Sequence, residues 1–382
     1  RIKVYFPLVE SGFGHIMPAG SVEQTFRKKY GDRVEVISSR FFADSGDKHM
    51  IKYEKMMSSQ VKLYNRFPVI GYIANYAGEL FGRTLTSFAV MRMSAPVASR
   101  SSMKLMKELA PDVIVSTHWS TNYYAEHLEN KPLTVMYCPD AQMNALFRYR
   151  SDLYMISMPG GYRKALARRE FNENNLKLVP FLIRNQAFSV CGDKKELRRT
   201  LGIPEDNFTV VMAEGGYGIG KMEKISRLLI KEHVPMTVIP VCGTNKKLYE
   251  RLSALTPTEE VVFLPQPFTE RILDLEAAAD VFCGKSGNIL AESTFFGNPS
   301  IVTNCTTPIE KHIAEHYIGA VGCSFKQFSP RKTAKILTAL AEDDSPLDGY
   351  RAAAKAYRGH FGSEAAADAI WEAIKKKHPG LE

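Results

Sequence analysis

Residues 283–299, CGKSGNILAESTFFGNP, hold the densest set of groups able to do chemistry in this 382-residue chain. They follow the apolar strand end Ala279-Asp280-Val281-Phe282 and open a helix at Ser286 or Asn288, which Gly297 and Pro299 stop. A helix start offers unpaired backbone N–H groups and a partial positive charge, which suit a diphosphate. Ser286, Gly287 and Asn288 stand at that start, and Glu292 lies about one turn inside, spaced to take two hydrogen bonds from a ribose cis-diol. The segment reads as a nucleotide-sugar grip. Its other reading is a strand–turn–helix unit with an ordinary cap and a solvated glutamate.

A second cluster, Ser11-Gly12-Phe13-Gly14-His15, comes directly after the first strand. Glycine lets a ligand or a second backbone approach closely. His15 would stand at the C-terminal edge of the sheet, where open α/β folds bind ligands. Its imidazole could take a proton from a hydroxyl as that hydroxyl attacks, or it could simply cap the following helix. The spacing is not that of a dinucleotide fingerprint.

Glu214-Gly215-Gly216-Tyr217-Gly218-Ile219-Gly220-Lys221 has P-loop spacing, but Met222 replaces the Ser or Thr that would hold magnesium. A glycine-rich hinge with room for a diphosphate or sugar, at Gly215 and Gly216, is the better reading. Gly243 permits close approach after a further strand, and Asn245 can bond a ligand or cap the next helix. Phe268 is placed to border a base or to enter the core. Glu310, Lys311, His312 and His316 form either a sugar-binding cluster or an exposed helix face. His312 and His316 have zinc spacing with no third ligand in view, and Asp44-Ser45-Gly46-Asp47 reads as a turn.

The elements that must position these groups alternate. Strands are expected at 2–9, 33–38, 112–117, 133–138, 153–158 and 177–180, then at 209–212, 236–241, 260–264, 280–282 and 300–303. Helical segments separate them, the pattern of parallel α/β sheets. Two consecutive Rossmann-like domains follow, 1–188 and 189–382, with a final helix near 362–377 placed to cross back. Between 50 and 108 the rhythm breaks into a helical stretch rich in Met, Tyr, Phe and basic residues, which is either a membrane-facing insertion or a packed helical core.

Composition narrows the class. No run of about twenty apolar residues exists, so no spanning helix is expected, and the chain opens on a buried-type strand rather than a secretory signal. Cysteines at 138, 191, 242, 283, 305 and 323 are scattered, with no Cys-x-x-Cys pair. They read as reduced small residues rather than a disulfide frame or zinc site, and point to the cytoplasm. The net charge of +9 favours anionic partners, a nucleotide or an anionic membrane surface. Nucleic acid is not expected, because no binding motif or basic–aromatic run is present.

Set in order, Gly12-Phe13-Gly14-His15, the Gly215–Gly220 loop, Cys242-Gly243-Thr244-Asn245 and Gly284–Glu292 with Gly297-Asn298-Pro299 resemble the GT-B glycosyltransferases of family 28. The resemblance covers nearly the whole chain. It implies an N-terminal acceptor domain and a C-terminal UDP-sugar domain facing a central cleft, with no cofactor and no bound metal. It implies His15 as general base, Ser286, Gly287 and Asn288 on the diphosphate, Glu292 on the ribose and Phe268 beside the uracil. Asp140, in Tyr137-Cys138-Pro139-Asp140, would orient the acceptor or His15. The chain departs from the pattern at Thr307-Pro308-Ile309-Glu310-Lys311, which touches the hexose in such enzymes, and at the bulky Phe13. The expected activity is inverting transfer of a hexose from a UDP-sugar to a lipid acceptor such as diacylglycerol, at the inner membrane face. An enzyme like the UDP-N-acetylglucosamine 2-epimerases, or a non-catalytic nucleotide-sugar-binding protein, are the alternatives.

Overall fold

The computed structural model describes residues 1–10, 13–80, 96–190 and 192–380. Ser11 and Gly12 of the histidine loop, residues 81–95 of the inserted stretch and Cys191 lie outside the described residues. The chain divides into two units, Arg1–Asn185 with Phe361–Glu382, and Gln186–His360. The last 22 residues, within the expected 189–382 domain whose final helix was to cross back, group with the first unit.

The first unit carries strands β1 (Lys3–Leu8), β2 (Glu35–Arg40), β3 (Val113–Ser116), β4 (Leu133–Cys138), β5 (Leu153–Ile156) and β6 (Leu176–Leu178). They form one sheet in the order β2-β1-β3-β4-β5-β6, parallel throughout. Side chains alternate faces along a strand, and the buried sets sort accordingly. Val4, Phe6, Val113, Val115, Val135 and Tyr137 enter one core, while Tyr5, Ile114, Met136 and Cys138 enter the other. Both faces must then be covered.

Helix α1 (Phe13–Tyr30) and the last helix of the chain, Glu364–Lys377, cover the first face. Tyr30 stacks on Trp371 with ring centres 4.7 Å apart, and its hydroxyl bonds Asp368 at 2.5 Å. The other face takes α2 (Lys48–Arg66), α4 (Pro96–Leu109) and α5 (Trp119–Glu126), which send side chains into its core, while α3 (Pro68–Leu80) packs on α2. Asp47 caps α2 by accepting from the His49 and Met50 N–H groups.

The second unit repeats the architecture with β7 (Phe208–Ala213), β8 (Met236–Val241), β9 (Val261–Phe263), β10 (Val281–Lys285), β11 (Ser300–Asn304) and β12 (Ser324–Lys326). Their order is β12-β11-β10-β7-β8-β9, again all parallel. The helices that start at its C-terminal edge include α6 (Met222–Leu229), α7 (Lys246–Ser253), α8 (Asn288–Phe295) and α9 (Pro308–Glu315). Among the described residues no helix is long and apolar enough to cross a membrane.

Candidate active site

In the first unit the expected base lies where β1 hands over to α1. His15 is the third residue of that helix and is half-buried. Its Nδ1 lies 2.9 Å from the Thr117 carbonyl, and the Thr117 hydroxyl donates back to the His15 carbonyl at 2.7 Å. A carbonyl can only accept, so Nδ1 carries the proton and Nε2 keeps its lone pair. Burial lowers the His15 pKa from its ordinary value, and the Thr117 bond offsets part of that. Pro18 lacks the N–H that would otherwise close the helical bond to the Gly14 carbonyl, so the first turn is under-bonded beside the histidine. A side chain at Gly14 would meet nothing, so the space there is open.

A second imidazole completes the cluster. His118 meets His15 edge-on with ring centres 5.2 Å apart. Its Nδ1 accepts from the Ser120 N–H at 3.3 Å, which places the proton on Nε2. Burial first, and the nearby His15 second, hold its pKa well below the usual histidine value. Phe147 also stacks on His15, with ring centres 5.9 Å apart. Asp140, at the end of β4, is 8% exposed and accepts from Asn144 Nδ2 at 2.5 Å. Burial pushes its carboxyl up to about 7. The bond that orients His15 thus comes from the Thr117 carbonyl, and Asp140 bonds Asn144.

In the second unit the candidate donor residues gather at the C-terminal ends of β7, β8, β10 and β11. Gly215, Gly218 and Gly243 have φ of 71°, 57° and 58°, the left-handed region that suits glycine. Much of the glycine serves the packing of two loops rather than an open cradle. A Cβ on Gly243 would strike the Gly216 carbonyl and one on Gly218 the Cys242 carbonyl. The Gly216 carbonyl accepts from the Thr244 N–H at 2.9 Å and from its hydroxyl at 3.0 Å. Gly215 is different, because a Cβ there would meet only Lys285, at 4.0 Å. Asn245 uses its side-chain oxygen to cap α7, accepting from the Leu248 N–H at 3.0 Å. Phe268 is 55% exposed and so is no core residue.

The opening segment folds with Gly287 as the cap of α8 at φ 149°, and nothing lies within reach of a Cβ there. Asn288 is the first helical residue, and its Nδ2 is buried with no hydrogen-bond partner among the described residues. The Ser286 hydroxyl donates to the Glu310 carbonyl at 2.6 Å, so it fastens the start of α9 instead of standing free for a phosphate. Glu292 is buried on the inner side of α8, at 1% exposure. Glu310 faces Lys285 at 2.6 Å and accepts from the Thr306 N–H and hydroxyl at 2.7 and 2.9 Å.

Glu214 went unassigned in the sequence although it opens the glycine loop. It is 1% exposed and accepts from the Lys221 N–H at 3.0 Å and the Thr303 hydroxyl at 3.1 Å. Its Oε2 has no partner among the described residues and packs against Gly220. Burial raises its carboxyl to about 7, offset in part by those bonds and by Lys285 and Lys221. Thr117, His118, Phe147, Lys285 and Thr303 were equally unmarked as site residues. The available signal for Thr117, His118, Lys285 and Thr303 was that each ends or directly follows a buried strand, and Phe147, in the loop after β4, carried none.

No cluster of three His, Cys, Asp or Glu side chains suited to a metal ion occurs among the described residues. The first unit can supply a neutral imidazole base, and the second an anion-ready helix start beside two buried carboxyl groups and a lysine.

No protein-family model matches the chain. It is 22% identical over 365 residues to a probable chloroplastic monogalactosyldiacylglycerol synthase of Glycine max, and 23% identical over 366 residues to monogalactosyldiacylglycerol synthase 1 of Arabidopsis thaliana. Each alignment takes in 88% of this chain, which spans 64% of the length of each relative. A 126-residue stretch is 30% identical to the UDP-N-acetylglucosamine–N-acetylmuramyl-(pentapeptide) pyrophosphoryl-undecaprenol N-acetylglucosamine transferase of Clostridioides difficile, covering 31% of this chain and 30% of that one. Among solved structures, MurG of Acinetobacter baumannii matches with a TM-score of 0.60 at 14% identity, over 97% of this chain and all of that one. A putative UDP-N-acetylglucosamine 2-epimerase of Listeria monocytogenes matches with a TM-score of 0.64 at 14% identity, over 99% and 96%. HepE of Anabaena in complex with UDP-glucose matches at 0.57 and 16%, over 98% and 100%. The fold is GT-B, and the chain is similar over most of its length to family 28 glycosyltransferases.

Proposed function

We propose that the protein is an inverting, metal-independent glycosyltransferase that moves a hexose from a UDP-sugar to a lipid acceptor such as diacylglycerol at the cytoplasmic face of a membrane. The observation that carries the reading is the fixed tautomer of His15, whose Nδ1–H is held by the Thr117 carbonyl. Nε2 is then the acceptor for the proton of an attacking hydroxyl. As that proton leaves, the acceptor oxygen bonds the anomeric carbon on the face opposite UDP. The bond from that carbon to the diphosphate breaks, and UDP departs with the electron pair.

The departing charge needs donors, and the start of α8 with the free Asn288 amide supplies them. Glu292 is assigned to the ribose and the exposed Phe268 to the uracil face. The named relatives support a glycolipid product. A peripheral membrane site is supported by the solvent-facing surface of α2 and α3. There Leu63, Phe67, Val69, Ile70, Ile73 and Tyr76 are exposed, with Lys52, Lys55, Lys62 and Arg66 among the exposed residues of α2. Aromatic, aliphatic and cationic side chains on one surface suit an anionic bilayer.

The test is to incubate the protein with a panel of UDP-sugars and extracted membrane lipids, with and without a chelator, and identify products by mass spectrometry. A glycolipid whose yield is unaffected by chelation is expected. UDP binding without a glycosylated product from any acceptor would refute the reading. The epimerase-like structure keeps a second reading in view. Its signature is conversion of UDP-N-acetylglucosamine to its 2-epimer without acceptor, seen by NMR.

A further inference from the structure

Glu10, the last described residue before the histidine loop, is held at both of its backbone polar groups by one helix. Glu54 Oε1 accepts from the Glu10 N–H at 2.8 Å, and Ser58 Oγ donates to the Glu10 carbonyl at 2.9 Å. Glu54 and Ser58 are four residues apart on α2, so they lie one above the other on the same face. Glu54 is only 6% exposed. A buried carboxylate on a helix whose other charged residues are exposed cations calls for a specific use, and here it receives a main-chain N–H.

The same helix carries two further contacts. Its first half buries Met50, Tyr53 and Met57 in the core that also holds Trp119 and Phe147, and Phe147 is the ring stacked on His15. Its second half, continuing into α3, presents Leu63, Phe67, Val69, Ile70, Ile73 and Tyr76 to solvent. Five of its residues, Lys48, Lys52, Lys55, Lys62 and Arg66, are exposed cations, and its single acid is the buried Glu54. This charge asymmetry fits an anionic bilayer rather than a basic protein partner. A helix of 19 residues spans about 28 Å, so one stiff element reaches from that surface to the chain leading into His15.

We infer that Glu54 and Ser58 are positioning residues through which seating of the α2–α3 surface on an anionic bilayer fixes the segment that bears His15. The inference rests on the membrane-surface reading proposed above. An interface that restrains α2 restrains the two side chains that bracket Glu10, and through them the five-residue path to His15. Coupling of this kind is reciprocal. Breaking the bracket should therefore shift vesicle affinity by no more than the coupling itself, within about fivefold at its weak end.

Hydrogen–deuterium exchange of the full chain, with and without phosphatidylglycerol vesicles, reads this without relying on turnover. In the unsubstituted protein the vesicles should slow exchange several-fold in the peptide spanning residues 9–19. Glu54→Ala should still sediment with vesicles while that slowing disappears. Glu54→Gln keeps an oxygen for the Glu10 N–H and should retain it. Ser58→Ala, which removes one hydroxyl and leaves the acid in place, should lose part of it and serves if Glu54→Ala does not fold. Failure of the unsubstituted protein to sediment would overturn the membrane-surface reading and this inference with it. Sedimentation without slowing at residues 9–19, or slowing that survives in both Glu54→Ala and Ser58→Ala, would overturn the positioning inference alone.

Discussion

His15 and His118 are neighbouring imidazoles of opposite tautomer, one donating from Nδ1 to a carbonyl and the other accepting at Nδ1 from an N–H. Both have pKa values lowered by burial, so both are neutral at pH 7. A base in that state needs no activating deprotonation. The acid limb of kcat/KM should therefore lie below pH 6.5, and a limb centred above 7 would show that His15 is not the controlling group. Stability carries the opposite sign at the buried acids. Asp140 and Glu214 are raised to about 7, so their contribution is complete below their unfolded values near 4 and is lost as pH rises through about 7. Glu214→Gln removes this dependence at one site. Between pH 5 and pH 8 it should gain about 1–3 kcal/mol on the unsubstituted protein in denaturant unfolding. Parallel pH curves would show that Glu214 is already ionised. The helix starts that carry His15 and Asn288 were legible because glycine loops and helix caps announce themselves locally. Thr117 and His118 were not, because the pairing of β1 with β3 that brings them to His15 joins positions about a hundred residues apart.

The loops at the C-terminal ends of the strands owe their shapes to packing as much as to any ligand. Gly243 sits at positive φ with its Cα against the Gly216 carbonyl. Gly243→Ala should therefore cost about 1–3 kcal/mol and loosen both loops together, read as lowered stability and weakened UDP binding. Asn245→Ala removes only the α7 cap, and should cost about 1 kcal/mol with UDP affinity little changed. A large loss of affinity in that variant would show that Asn245 also acts in donor binding. Strand existence was legible from buried apolar runs such as Val113-Ile114-Val115, whereas the edges were less so. β2 runs to Arg40 rather than ending at residue 38, since an edge strand tolerates its polar Ser38-Ser39-Arg40 tail. β10 continues past Phe282 to Lys285 because Gly284, lacking a Cβ, can lie against the Ala213 carbonyl. β12, Ser324-Phe325-Lys326, carries a single apolar residue and so offers no apolar run to mark it.

Over the whole molecule, two parallel sheets were foreseeable from the alternation of elements, with five of the six strands marked in the second, and the last helix, expected to cross back, packs on the first sheet. Its apolar stripe of Ala366, Ala367, Ile370, Trp371 and Ile374 is visible in sequence but does not name the face it covers. Trp371→Ala should cost about 3–5 kcal/mol, and limited proteolysis should then open the first unit before the second. The inserted stretch is likewise half legible. Its helical character was expected, and the structure divides it into a buried first half of α2 and an exposed continuation into α3. Replacing Phe67 and Ile73 by serine should weaken binding to anionic vesicles about tenfold while UDP affinity holds. The most direct measurement takes UDP affinity by calorimetry and turnover of a UDP-sugar together, for His15→Ala against the unsubstituted protein. UDP affinity should stay within about twofold while turnover falls by about 10²–10⁴, the loss of a general base. Full turnover in His15→Ala would contradict the assignment of chemistry to the first unit and donor binding to the second.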